Sequence, residues 1–199
     1  MPKKNTGQKR KTSYWVYSVG LWTFFLAISL TLVTRFLLRS FQSIVFSFLL
    51  LLLIIFIGIL FDILGTATTA ASEKPFHAKA SKKIFGAKKG IYLIRNADRV
   101  ASFCNDVVGD ISGIVSGVVA AVIIINLTLK RPNLNEIALS ILLTGLVSAL
   151  TVGGKAYGKT IAIRNPNHIV FFTARMLTTL DNFIFRKKKG KQKKNKEKR

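Results

Sequence analysis

Cysteine is almost absent from this chain, and acid is scarce. A single cysteine in 199 residues, Cys104, excludes an internal disulfide, and with only two histidines no His or Cys cluster has metal-site spacing. Cys104 reads as a small packing residue. Neither a Ser/His/Asp set nor a glycine-rich phosphate loop is present, so no enzyme is expected. His77 and His168 fall in segments expected at a membrane–water boundary and read as surface groups. Only 8 Asp and Glu stand against 31 Lys and Arg, a formal charge of +23, so an acid inside an apolar stretch demands a reason.

What is abundant is apolar length. Half of the residues are hydrophobic; Ile44 to Phe61 carries no charge, and Leu49 to Ile55 is unbroken Leu and Ile. Runs of this length read as spanning helices, here at Tyr14–Thr34, Ile44–Leu64, Ser102–Ile125 and Ile137–Val152. The expectation is an all-α integral membrane protein with four transmembrane helices and amphipathic interfacial helices. Alternate connecting segments hold 27 Lys and Arg against 4, the positive-inside pattern for both termini in the cytoplasm of a cell membrane. Most of the net charge is thus a matter of orientation. The first apolar segment is too long for a signal peptide and no small-residue cleavage site follows it, so it reads as retained.

Four regions follow. Residues 1–13 form a basic cytoplasmic N-terminus, and 14–43 an additional N-terminal span with a short external turn. Residues 44–185 make the main membrane domain, and 186–199 a polybasic tail expected to be disordered. Asp62 closes the second span, after which the small, polar run from Gly65 to Ser72 suggests a break. Ser72-Glu73-Lys74-Pro75 then has the pattern of a helix start with a Ser cap. Ile84, Ala87, Ile91 and Ile94 recur at helical spacing among lysines, which predicts a basic amphipathic hairpin on the inner leaflet.

Lys82, Lys83, Lys88 and Lys89, with Lys187, Lys188 and Lys189 of the tail, are the candidate contacts for anionic lipid headgroups. An acidic protein or the ribosome is the alternative partner of the tail. It has no aromatic residue for base stacking, so no sequence-specific nucleic acid is expected. The last span is expected to break at Gly153-Gly154, and Ile169, Phe172, Met176, Leu180 and Phe183 predict a second interfacial helix.

The stretch from Ser102 to Ile125 carries the chemistry. Asp106 and Asp110 sit one and two turns inside its first end, and a carboxylate at that depth needs a cation, a proton or water. Gly109, Gly113 and Gly117 recur every four residues and suggest a close-packing face, as for a homodimer. Glu73 and Glu136 stand at helix starts, where the dipole favours them.

Three stretches carry a resemblance. Asn96-Ala97-Asp98-Arg99, the following Asn105-Asp106 helix, and the run from Gly154 to Pro166 with Lys159, Ala162 and Asn165 resemble the transmembrane domain of the cyclin M and CorB/CorC magnesium transporters. The likeness covers about Phe46 to Leu180, without the regulatory nucleotide-binding domains. It implies a three-span core, usually dimeric, with a Mg²⁺ site of Ser, Asn and acidic oxygens, hard donors that suit this ion. In this chain the candidate ligands are Asp106, Asp110 and Asn105, with Ser72 or Asp62 from the neighbouring span; Asp110 is an acid beyond the family pattern, and no organic cofactor is expected. Lys155 and Gly158 stand where the family has Glu and Pro, and Gly65 where it has an acid. Two readings follow: a divergent divalent-cation transporter, or a non-transporting membrane scaffold in which the acids pair with Lys155, Lys159 or Arg99.

Overall fold

The computed structural model describes residues 6–40, 43–131 and 135–196, so Met1 to Asn5 of the basic N-terminus and Pro132 of the third loop lie outside it. Every regular element among them is helical: α1 (Thr6–Ser40), α2 (Ile44–Ala70), α3 (Lys74–Ser81), α4 (Ala87–Arg95), α5 (Ala97–Ala101), a π-helical segment (Ser102–Gly109), α6 (Asp110–Lys130), α7 (Glu136–Arg164) and α8 (Pro166–Lys196). Four stretches are long and apolar enough to cross a membrane: Gly20–Arg39, Ile44–Ala70, Ala97–Lys130 and Glu136–Arg164.

Two compact units share these helices, Met1–Gly58 with Asp110–Thr151, and Ile59–Gly109 with Val152–Arg199. In the first unit α1 packs on α6. The buried stripe of α6 runs through Ile111, Val115, Val119 and Ile123, with Ser112, Ser116 and Ala120 beside it. Of the glycine face, Gly113 and Gly117 take no neighbour from the same chain: among the described residues nothing comes within 4 Å of a Cβ added at either. The β-branched and small side chains of the other stripe fill that role, because they offer more area to bury.

In the second unit the hairpin α3–α4 closes on α8. Phe76, Ala67, Ala162, Val170 and Ala174 are wholly buried at its core. Phe76 lies edge-on to Phe171, centroids 6.2 Å apart, and presses on Gly90, where any side chain would meet its ring. Lys79 Nζ sits 3.9 Å over the Phe171 ring. The hairpin turn needs two left-handed residues, Lys83 at φ 54° and Gly86 at φ 86°. The other face of α8 is also apolar, but open: Phe172, Met176, Leu180 and Phe183 are all more than half exposed.

Four expectations are corrected. The last span does not break at Gly153-Gly154; α7 runs unbroken to Arg164. Gly154 and Gly158 instead receive Ile59 and Ile63 of α2, and the break falls at Asn165-Pro166, where proline disfavours a helical residue before it. The run after Asp62 is not a break either. α2 continues to Ala70, and the hydroxyls of Thr68 and Thr69 are satisfied within it, donating back to Leu64 O and Thr66 O, both at 2.8 Å.

The cap of α3 is Glu73, not Ser72. The Glu73 carbonyl accepts from Phe76 N and His77 N at 3.0 and 3.1 Å, while Ser72 N–H donates to Asn167 Oδ1 at 3.0 Å. Lastly, the tail expected to be disordered continues α8 as far as Lys196, its Lys and Gln being good helix formers.

Candidate functional site

In the second unit, Asp62 of α2 is only 3% exposed although it is an acid. One turn further on stands Gly65, and the space beside it is filled from the π-helical segment: a Cβ there would collide with the side-chain amide of Asn105 and meet Cys104 Cβ at 3.1 Å. The amide oxygen of Asn105 therefore lies directly on the backbone of α2. It is buried and has no hydrogen-bond donor among the described residues. An orphaned carbonyl oxygen costs about 1–3 kcal/mol, and π-turns inside α-helices concentrate at functional sites. Asp62 and Asn105 thus offer two hard oxygen donors along one short stretch of α2.

The opposite charge arrives from α7. Lys159 Nζ stands 3.8 Å from Asp62 Oδ2, beyond hydrogen-bond length, and its side chain is half exposed. Lys155, one turn earlier on the same face, brings its Nζ to 3.4 Å from the position of a Cβ on Gly109. Gly109 is buried, so a glycine of the expected packing face does accept a neighbour, but that neighbour is a lysine.

Of the other acids, Asp106 is exposed and accepts the Ser102 hydroxyl at 2.9 Å. Asp110 is the exposed first residue of α6 and belongs to the first unit. Ser72 is exposed beyond the end of α2, with roughly 12 Å of helix between Asp62 and Ala70. So Asp62 and Asn105 flank Gly65, while Ser72 stands apart from them. No group of three or more His, Cys, Asp or Glu suited to a metal ion occurs among the described residues.

The motif residues mostly do structural work. Asn96 closes α4, its Nδ2 donating to Tyr92 O at 2.8 Å, and Asp98 and Arg99 are exposed on α5. Gly154 admits Ile59, Ala162 is in the core, and Asn165-Pro166 divides α7 from α8. Lys159 alone of this set touches the acid site.

Of the candidate lipid lysines, Lys82, Lys83 and Lys88 are exposed, whereas Lys89 donates to Asp181 Oδ2 at 2.7 Å. The side chains of Lys187, Lys188 and Lys189 lie outside the described residues. Glu73 ties the hairpin together, its Oε2 3.1 Å from His77 Nε2 and 3.2 Å from Arg95 Nε. The His77 hydrogen bond, and after it that of Arg95, hold the Glu73 carboxyl below its ordinary range.

Sequence reasoning missed two features. In the sequence Gly65 stands out only as a departure from a family pattern, although a glycine inside a helix signals close approach. The expectation pairs Lys159 with Asp106 or Asp110, while the structure pairs it with Asp62.

The fold and this site define a helical protein with four helices fit to cross a membrane and with acid, amide and ammonium groups on those helices. No family model matches the chain, nor does any curated protein or solved structure.

Proposed function

We propose that this chain is a membrane transport protein that takes a divalent cation of the Mg²⁺ class as cargo, at oxygens of Asp62 and Asn105. The observation that carries this reading is the buried Asn105 Oδ1, without a donor among the described residues, one turn of α2 from the buried Asp62. A carbonyl oxygen next to a carboxylate suits a hard cation better than a neutral ligand. The motif resemblance to the cyclin M and CorB/CorC transporters supports the same class. Asp106, with Ser102 bonded to it, belongs to the same π-helical segment and supplies further oxygens.

In this reading Lys159 is a tethered competitor. It compensates Asp62 when no ion is bound, and its half-exposed side chain has room to withdraw when one arrives. The charge distribution supports both termini in the cytoplasm of a cell membrane, with the site opening toward the basic face. The open space at Gly113 and Gly117 supports a homodimer.

The test is the thermal stability of the purified protein across a Mg²⁺ titration at constant ionic strength. Binding to the folded state alone raises the melting temperature progressively. A saturable rise, lost in Asp62→Asn and in Asn105→Ala, is expected. A flat response from folded protein overturns transport and leaves the second reading, a non-transporting scaffold that binds anionic lipid or an acidic partner. One observation favours that reading: Lys159 brings a positive charge to the acid site, where it opposes a cation.

A further inference from the structure

The first unit holds a site that the acid cluster does not involve. Arg35 and Arg39, four apart on one face of α1, and Asn126 and Lys130, four apart on one face of α6, line a single cavity of about 690 Å³ with Leu38 and Ile125. Two helices remote in sequence thus converge three cations and an amide. Among the described residues no carboxylate stands within 4 Å of any of the three. The cavity thus gathers three positive charges with no ion-pair partner among the described residues.

Their location makes this unusual. Taken in alternation, the termini and the stretches between the apolar cores of the spans hold 27 Lys and Arg against 4, and the 4 are Arg35, Arg39, Lys130 and Arg131. Cations on the sparse side work against the orientation that the rest of the chain enforces. Three of those four nevertheless line one cavity. A use for the charge accounts for both their retention and their convergence.

The geometry points to a binding site for a phosphate group at this end of α1 and α6. Two guanidiniums present paired donors that match phosphate oxygens, and an ammonium and an amide add further donors. Arg39 and Lys130 each end a spanning stretch, which sets them at the depth of lipid headgroups. Leu38 and Ile125, the latter half exposed, continue the wall toward the acyl region. The phosphate is that of an anionic phospholipid in the adjoining leaflet, or one free in solution. The site goes beyond the cation reading, since it lies in the other unit and takes the opposite charge.

The experiment is a thermal-shift and native mass-spectrometric titration of the full chain in neutral detergent. One arm uses phosphatidylglycerol and the other inorganic phosphate at matched ionic strength. Arg35→Gln/Arg39→Gln and Lys130→Gln are compared with Lys74→Gln/Arg164→Gln, which removes charge from exposed positions of the other unit. The expected result is a saturable response that weakens about tenfold or more in the arginine variant and partly in Lys130→Gln, and persists in the Lys74/Arg164 control. Arg35→Lys/Arg39→Lys, which keeps the charge and loses the paired donors, should fall between.

A response to phosphatidylglycerol alone makes the ligand a lipid, and one to inorganic phosphate makes it a soluble species. Either supports the site. No response in either arm, or one that the arginine variants leave unchanged, overturns it, and neither outcome bears on the Mg²⁺ titration.

Discussion

Lys159 Nζ lies 3.8 Å from Asp62 Oδ2, with the lysine half exposed and the aspartate buried. That asymmetry makes the lysine the movable member of the pair. Lys159→Gln should therefore tighten Mg²⁺ binding by roughly two- to fivefold, the worth of one half-exposed charge interaction. Unchanged or weaker binding in the thermal titration would mean that Lys159 is not a competitor for the ion.

Gly65→Ala should destabilise the protein by about 1–3 kcal/mol, because its Cβ collides with the Asn105 amide and reaches Cys104 Cβ. Asn105→Ala in the same chain should recover most of that loss, a strong departure from additivity. Denaturant unfolding of the two single variants and the double variant reads this directly; additive losses would show that the amide does not lie on α2.

The glycines of α6 and α7 should behave in opposite ways. Gly158→Ala brings a methyl to 2.7 Å from Ile63 Cγ1 and should lower the melting temperature, whereas Gly113→Ala meets nothing within 4 Å among the described residues. Gly113→Leu should then leave the folded chain stable yet abolish crosslinking between copies. Crosslinking that survives this change removes the glycine face as the dimer contact.

Acid should loosen the α3–α4 hairpin. The Glu73 carboxyl is held below its ordinary value of 4.5, mainly by the His77 hydrogen bond and then by that of Arg95. A depressed carboxyl contributes stability that is complete above the ordinary value and is lost as pH falls through the lowered one. Hydrogen exchange of residues 74–95, corrected for intrinsic rates, should accelerate below about pH 4.5 in the native chain. In Glu73→Gln that acid-induced step should be missing.

Much of this fold was legible because membrane helices and amphipathic hairpins are local patterns. The four spans came from apolar length, the α3–α4 hairpin from Ile84, Ala87, Ile91 and Ile94, and α8 from its repeating apolar residues. Periodicity failed where a residue serves a distant neighbour. Gly153-Gly154 has the local signature of a helix end, but the glycine at 154 makes room for Ile59, nearly a hundred residues away in sequence.

The site divides in the same way. Asp62 and Asn105 were named from charge and motif, yet the contact of Asn105 with Gly65 depends on the π-helical turn, which no spacing rule announces. The stripe on α8 was legible by its period, and Phe172, Met176 and Phe183 are exposed. The residues of α8 that do enter the core, Val170 and Ala174, lie off that stripe and carry no periodic signal.

That outward stripe has a practical consequence for handling the protein. A micelle sized to the four spanning helices would leave Phe172, Met176, Leu180 and Phe183 in water. The chain therefore asks for more surfactant than its spans suggest. Short-chain detergents that extract it should also leave it sticky, with particles joining through α8 until an amphiphile broad enough to cover that helix replaces them.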